Sequence, residues 1–198
     1  MKIAADIKFL QKFDSAMNGV FSINDLRNLL NEPNDVLLHR RIKSLERSGF
    51  LSRFKQGFYT TDYFNPLALA CRIYPDAYIS LGTVLAENLI IGSIPAKTVY
   101  AVRPGRNKEF TNRDLTLLYL SIQPELIFGT ERINGITKAL PEKAFLDTLY
   151  FYQKGLPLSF NIYEDIETSK LDSTKILLWL ERYKNPKFRT FVKGILMI

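Results

Sequence analysis

The chain has 198 residues, 46% hydrophobic and 13% aromatic, which allows one or two domains with a real core and excludes a disordered chain. Its net charge of +7 points to polyanionic partners, while one cysteine (Cys71) excludes an internal disulfide and one histidine (His39) excludes a His-based metal cluster. No apolar run approaches the ~20 residues of a membrane span, and the opening MKIAADIKFLQKF has no signal-peptide core, so a cytoplasmic protein without metal or cofactor is expected.

The first helix is predicted over 3–17, with Ile7, Leu10 and Phe13 on one side and Asn18-Gly19 as its stop. Val20-Phe21 is a short extended piece. Ser22 then caps a second helix over 23–30, with Asp25 placed to complete a capping box. Asn31-Glu-Pro-Asn34 is a turn. Leu38, Ile42 and Leu45 recur at i, i+4 and i+7 in the next helix, which ends at Ser48-Gly49. Arg40, Lys43, Ser44 and Arg47 fall opposite that stripe; Val36 also lies on the outer side, where it is either a thymine-methyl contact or a sign that the register slips in the first turn. Residues 51–55 and 58–61 flank Gln56-Gly57 as a two-strand hairpin. Helix, strand, helix, turn, helix and wing is the order of a winged helix-turn-helix, whose third helix enters the major groove.

Tyr63-Phe-Asn-Pro66 reads as the exit from this domain, followed by a short connecting helix over 67–73. Beyond it a helix is predicted over 77–89, a turn over 90–95, a strand over 98–102 and a basic loop over 103–107. Strands follow at 115–122 and 125–130, with a further short one near Gly135-Ile-Thr137. Pro141 at N1 and Glu142 in the first turn start a helix through Tyr152, with Phe145, Leu146, Leu149 and Tyr150 as its core stripe. Two more helices, about 174–183 and 186–197, close the chain. The expected class is α+β: a winged helix-turn-helix over 1–64, a linker over 65–75, and a mixed α/β domain over 76–198 with a small sheet and flanking helices.

Charge concentrates at two places. Over 34–58, Arg40, Arg41, Lys43, Arg47, Arg53 and Lys55 face only Asp35 and Glu46, a net +4. Over 175–198, six basic residues face only Glu181, a net +5. The first patch, with Ser44 and Gln56, is the expected DNA-binding set: Arg40, Arg41, Lys43, Ser44, Arg47, Arg53, Lys55 and Gln56. A basic face of Lys187, Arg189 and Lys193 is expected opposite the apolar stripe of the last helix; the plain alternative is a solvated face. His39 reads as a solvated or phosphate-proximal residue, and Cys71 as a small buried hydrophobe. Glu142, Lys143 and Asp147 read as ordinary helix-start chemistry, since no phosphate loop, nucleophile elbow or paired-carboxylate signature is present. No catalytic residue is assigned, and the chain is expected not to be an enzyme.

Ala77-Tyr-Ile-Ser-Leu81, Leu89-Ile-Ile-Gly-Ser-Ile-Pro95, the strand at 98–102 and above all Leu140-Pro-Glu-Lys-Ala-Phe-Leu-Asp147 resemble the AbiEi-type antitoxins of abortive-infection, type IV toxin–antitoxin pairs. Leu140 departs from the small hydroxylated cap expected there. The resemblance implies a winged-helix autorepressor that binds double-stranded operator DNA and counteracts a nucleotidyltransferase-like toxin through its C-terminal domain; dimerisation on the DNA is an option the sequence leaves open. No catalytic residue comes with it. The competing reading is a winged-helix transcriptional regulator whose C-terminal domain senses a small ligand and has no toxin partner.

Overall fold

The computed structural model describes residues 2–93 and 97–197, so the expected turn over 90–95 lies in part outside the described residues. The chain divides into two compact units, Met1–Ile73 and Tyr74–Ile198.

In the first unit, helix α1 (Lys2–Asp14) is followed by strand β1 (Val20–Ser22), helices α2 (Ile23–Leu29) and α3 (Asp35–Arg47), strands β2 (Ser52–Lys55) and β3 (Phe58–Thr60), and helix α4 (Pro66–Ile73). The strands form an antiparallel sheet in the order β1-β3-β2. Leu10, Phe21, Leu26, Leu38, Ile42, Leu45 and Tyr59 meet in one core, one residue or more from each of α1, β1, α2, α3 and β3. Helix α1 stops three residues before the predicted end. The chain then turns through Asn18 and Gly19, both in the left-handed region, and a Cβ on Gly19 would lie 2.5 Å from the Phe64 Cα, so glycine is required there. The capping box of α2 is complete: the Asp25 N–H donates to Ser22 Oγ, and the Ser22 N–H donates to the Asp25 carboxylate.

Helix α4 corrects the expected linker over 65–75. Arg72 donates to the Val20 carbonyl at 2.8 Å and pairs with Asp25 at 2.5 Å, which fastens α4 to β1 and α2. A helix with side chains tied into two earlier elements is part of the first unit. Sequence pattern alone could not show this, because the partners of Arg72 lie about 50 residues away.

The second unit holds a six-stranded mixed sheet in the order β6-β7-β5-β4-β9-β8. Its strands are β4 (Tyr78–Ile79), β5 (Thr98–Arg103), β6 (Lys108–Asn112), β7 (Leu115–Ser121), β8 (Thr130–Ile133) and β9 (Ile136–Ala139). Helices α5 (Leu81–Glu87), α6 (Pro141–Gln153), α7 (Ser173–Leu180) and α8 (Pro186–Ile195) complete it. Helix α6 packs against α5, α7, α8 and β9. Three expectations change here. The helix predicted from Ala77 begins only at Leu81, because Tyr78 and Ile79 pair with β5 on one side and β9 on the other. A short apolar run fits a buried strand as well as a helix, and only the neighbours decide. The strand predicted over 125–130 is a 3-10 turn, Pro124–Leu126, and β8 begins at its end; Pro124 cannot donate to a ladder and Gly129 has φ 60°. Strand β6, which was not predicted, carries Lys108 and Glu109 on an edge of the sheet, where charge replaces the apolar alternation that marks a strand.

Candidate functional site

Helix α3 is built with two faces. Asn34 caps it, its Oδ1 accepting the Leu37 N–H at 3.1 Å, and Leu38, Ile42 and Leu45 are buried beneath. Val36, Arg40, Lys43 and Arg47 stand at i, i+4, i+7 and i+11, within ~40° of one line along the outer side at ~100° per residue, and all four are exposed. The side chains of Arg40, Lys43 and Arg47 have no hydrogen bond or ion pair among the described residues. Three unpaired cations on one helix face are a surface ready for a polyanion. Ser44 is half-buried and its hydroxyl donates back to the Arg40 carbonyl at 3.1 Å. The His39 ring meets the Asp35 carbonyl at 2.7 Å on the flank of this face.

Arg41 does not belong to that face. Its Nε and Nη2 donate to both Asp6 oxygens at 3.0 and 2.6 Å, and its Nη1 donates to the Leu30 carbonyl at 2.9 Å. Glu32 lies 3.6 Å away, and the carboxylates hold the guanidinium above its ordinary pKa. Arg41 therefore ties α3 to α1 and to the end of α2, and the expectation that it touches DNA is corrected. The reason is angular: it sits one position past Arg40, about 100° round toward the core.

The wing is β2, Gln56-Gly57 and β3, with a bulge between Arg53 and Lys55. Gly57 has φ 80°, the conformation its turn requires. Gln56 is exposed at the tip, and Arg53 is exposed along β2, opposite Tyr59. The Lys55 ammonium lies 5.2 Å from the Phe58 ring centre and donates to the Gln56 carbonyl at 3.3 Å, which stiffens the tip.

In the second unit the expected basic face of α8 divides in the same way. Lys187 and Lys193 are exposed. Arg189 is half-buried, with Nε donating to the Tyr183 carbonyl and Nη2 to the Glu181 carbonyl, both at 2.6 Å. It closes the end of α7, so its place in a free basic face is corrected. Next to this corner, Gln123, Glu125, Tyr150, Lys154, Arg182 and Phe188 line part of a cleft of about 450 Å³.

The feature that sequence reasoning missed lies inside. Lys143 and Asp147, one turn apart on α6, are both 0% exposed and form an ion pair. Tyr78 Oη and Ser80 Oγ donate to the other Asp147 oxygen at 3.0 and 2.8 Å, and the Lys143 ammonium also donates to Tyr183 Oη at 3.3 Å. The Phe128 ring centre is 4.7 Å from that ammonium. Burial lowers the Lys143 pKa and raises that of Asp147, and the attraction between the two opposes both shifts. Burial and the nearby carboxylate push Tyr78 and Tyr183 far up, so both stay protonated, Tyr78 as a donor to Asp147. The turn that aims Ser80 at Asp147 places Leu81 at φ 53°, a strained conformation for a side chain of that size. At Gly129 an added Cβ would fall 2.8 Å from the Trp179 ring and 3.1 Å from the Lys143 Cβ, so this glycine admits both side chains to the cluster. A signal was available: Lys143, Asp147 and Tyr150 are spaced i, i+4, i+7, the pattern of an inward stripe.

The chain has a structural counterpart over nearly all of its length. It is similar in fold to the RV2827C protein from Mycobacterium tuberculosis. The TM-score is 0.60 at 13% identity, over 96% of this chain and 74% of that protein. At that identity the likeness to RV2827C is one of fold. No protein-family model matches the chain, and no curated protein matches it. Among the described residues no group of three or more His, Cys, Asp or Glu side chains could hold a metal ion, and no helix is long and apolar enough to cross a membrane.

Proposed function

We propose that this chain is a DNA-binding antitoxin: it represses its own operon through the winged helix of the first unit and counteracts a nucleotidyltransferase-like toxin through the second, without chemistry of its own. The observation that carries the DNA-binding half is the outer face of α3, where Arg40, Lys43 and Arg47 lie exposed and unpaired among the described residues while Arg41, one position away, is consumed by Asp6. The antitoxin half rests on the resemblance of residues 140–147 to the AbiEi-type antitoxins. Lys143 and Asp147 of that stretch are buried inside the unit, which supports a scaffolding role for it.

The test has two arms on the full chain. Binding to the duplex upstream of its own gene should exceed binding to a scrambled duplex and should fall steeply with salt. Arg40→Ala should cost about 1–3 kcal/mol on the first duplex and far less on the second, as loss of base readout does. Co-expression with the product of the adjacent gene should restore growth. Equal affinity for both duplexes would remove the repressor, and growth arrest despite co-expression would remove the antitoxin.

A second reading, a winged-helix regulator that senses a small ligand, is favoured by one observation. The cleft of the second unit brings Lys154, Arg182 and Lys184 beside the rings of Tyr150, Tyr183 and Phe188, a combination suited to an anionic ligand. Under that reading operator binding changes with a small molecule, and the adjacent gene product does not affect growth whether or not this chain is co-expressed.

A further inference from the structure

The outer stripe of α3 is not uniformly basic. Val36, at its N-terminal end, is 62% exposed, and Leu37 beside it is 44% exposed. The buried positions Leu38, Ile42 and Leu45 show that the helix register holds through this turn, so Val36 faces outward by construction and not by a slip. It shares its line with Arg40, Lys43 and Arg47, and a shallow depression of about 330 Å³ runs along Asp35, Val36, His39, Arg40 and Lys43. An apolar residue on a surface otherwise shaped for a polyanion leaves its side chain in water unless the partner brings an apolar group to it. Duplex DNA offers one in the major groove, the C5-methyl of thymine. The position along the helix agrees: in helix-turn-helix docking the N-terminal residues of the recognition helix reach base edges.

We infer that Val36 is a specificity-determining residue that reads a thymine methyl in the operator, while Arg40 beside it meets the neighbouring base edge. This rests on the reading that α3 faces duplex DNA. The chemistry is apolar contact alone, so it distinguishes thymine from uracil, which presents the same hydrogen-bonding edge without the methyl.

The experiment uses the full chain and a duplex recovered by selection from a random-sequence library. Each thymine is replaced in turn by deoxyuridine, and affinities are measured for the wild type and for Val36→Ala. At one or two positions the substitution should weaken the wild type about fourfold each, the equivalent of ~0.8 kcal/mol for one buried methyl-sized group. Val36→Ala should bind the thymine duplex more weakly by a similar factor and be indifferent to uracil at those same positions. Its melting temperature should match the wild type, because the side chain is exposed. Uracil that is harmless everywhere, or that weakens both proteins equally, overturns the role of Val36 while specific binding of the recovered duplex leaves the DNA-binding reading standing. Failure of the selection to enrich any sequence overturns both.

Discussion

Lys143 and Asp147 show how much a single residue's surroundings can alter its meaning. On an open helix face the pair would contribute a few tenths of a kcal/mol. Here both groups are removed from water, and Asp147 accepts from Tyr78, Ser80 and Lys143 together. Breaking such a pair from one side leaves a buried charge without its partner. Asp147→Asn should therefore destabilise the protein by ~3–5 kcal/mol in urea denaturation. Its pH dependence has a definite sign. In that variant the burial that lowers Lys143 acts without the carboxylate that opposed it, so the folded pKa lies further below the ordinary 10.5. Between the two values the unfolded chain binds more protons, and stability must rise as pH climbs toward 10.5, more steeply than in the wild type. Adding Lys143→Met removes the cation while the amide oxygen still accepts from Tyr78 and Ser80. Most of the loss should return, and the alkaline rise should vanish. A single variant as stable as the wild type would mean that the pair contributes nothing to folding.

Helix α3 carries two kinds of arginine side by side. Arg41 makes three hydrogen bonds to Asp6 and Leu30, and through them joins three helices around the core. Arg40 makes no side-chain bond among the described residues. Hydrogen bonds to charged groups are worth ~1.5–3 kcal/mol, whereas exposed substitutions stay within ~0.5 kcal/mol. Arg41→Ala should thus lower the urea midpoint by the equivalent of ~2–3 kcal/mol and leave duplex discrimination intact once the protein is folded. Arg40→Ala should do the reverse. Equal midpoints for the two variants would show that the clamp to Asp6 is absent in solution. Helix α8 repeats the division, with Arg189 closing the end of α7 while Lys187 and Lys193 stay in solvent.

For the whole molecule, the boundary between units decides what can be separated. A cut after residue 64 follows the sequence signal at Pro66 but discards α4 and the bonds from Arg72 to Val20 and Asp25. Asp25 also completes the capping box of α2, so that cut leaves a half-buried carboxylate without its guanidinium. A fragment of residues 1–73 should unfold cooperatively and bind duplex DNA. The 1–64 fragment should be less stable by at least ~1.5 kcal/mol, the lower value for a charge-assisted hydrogen bond. Calorimetry on both decides it: identical transitions would return α4 to the status of a connecting segment.

Local chemistry was enough to determine the first unit's secondary structure. The Ser22–Asp25 box, the Asn34 cap, the Leu38–Ile42–Leu45 stripe and the Gln56-Gly57 turn are written in neighbouring residues, and each formed where its spacing placed it. The outer face of α3 was legible at Val36, Arg40, Lys43 and Arg47, because a helix of known register has a known outside, while Arg41 and the half-buried Ser44 proved to lie off it. The second unit was less so. Tyr78 and Ile79 are a strand only because β5 and β9 lie on either side, and β6 is a strand only because β7 accepts it. The roles of Arg41, Arg72 and Arg189 were likewise undetermined by the sequence, and for the Lys143–Asp147 pair the spacing with Tyr150 signalled an inward stripe but not the partners it meets there. A basic residue in solvent and one clamped to a distant carboxylate or carbonyl read alike in a sequence. Arg41 and Arg72 find their carboxylates 35 and 47 positions away, and Tyr78 reaches Asp147 across 69, a selection that only the tertiary structure makes.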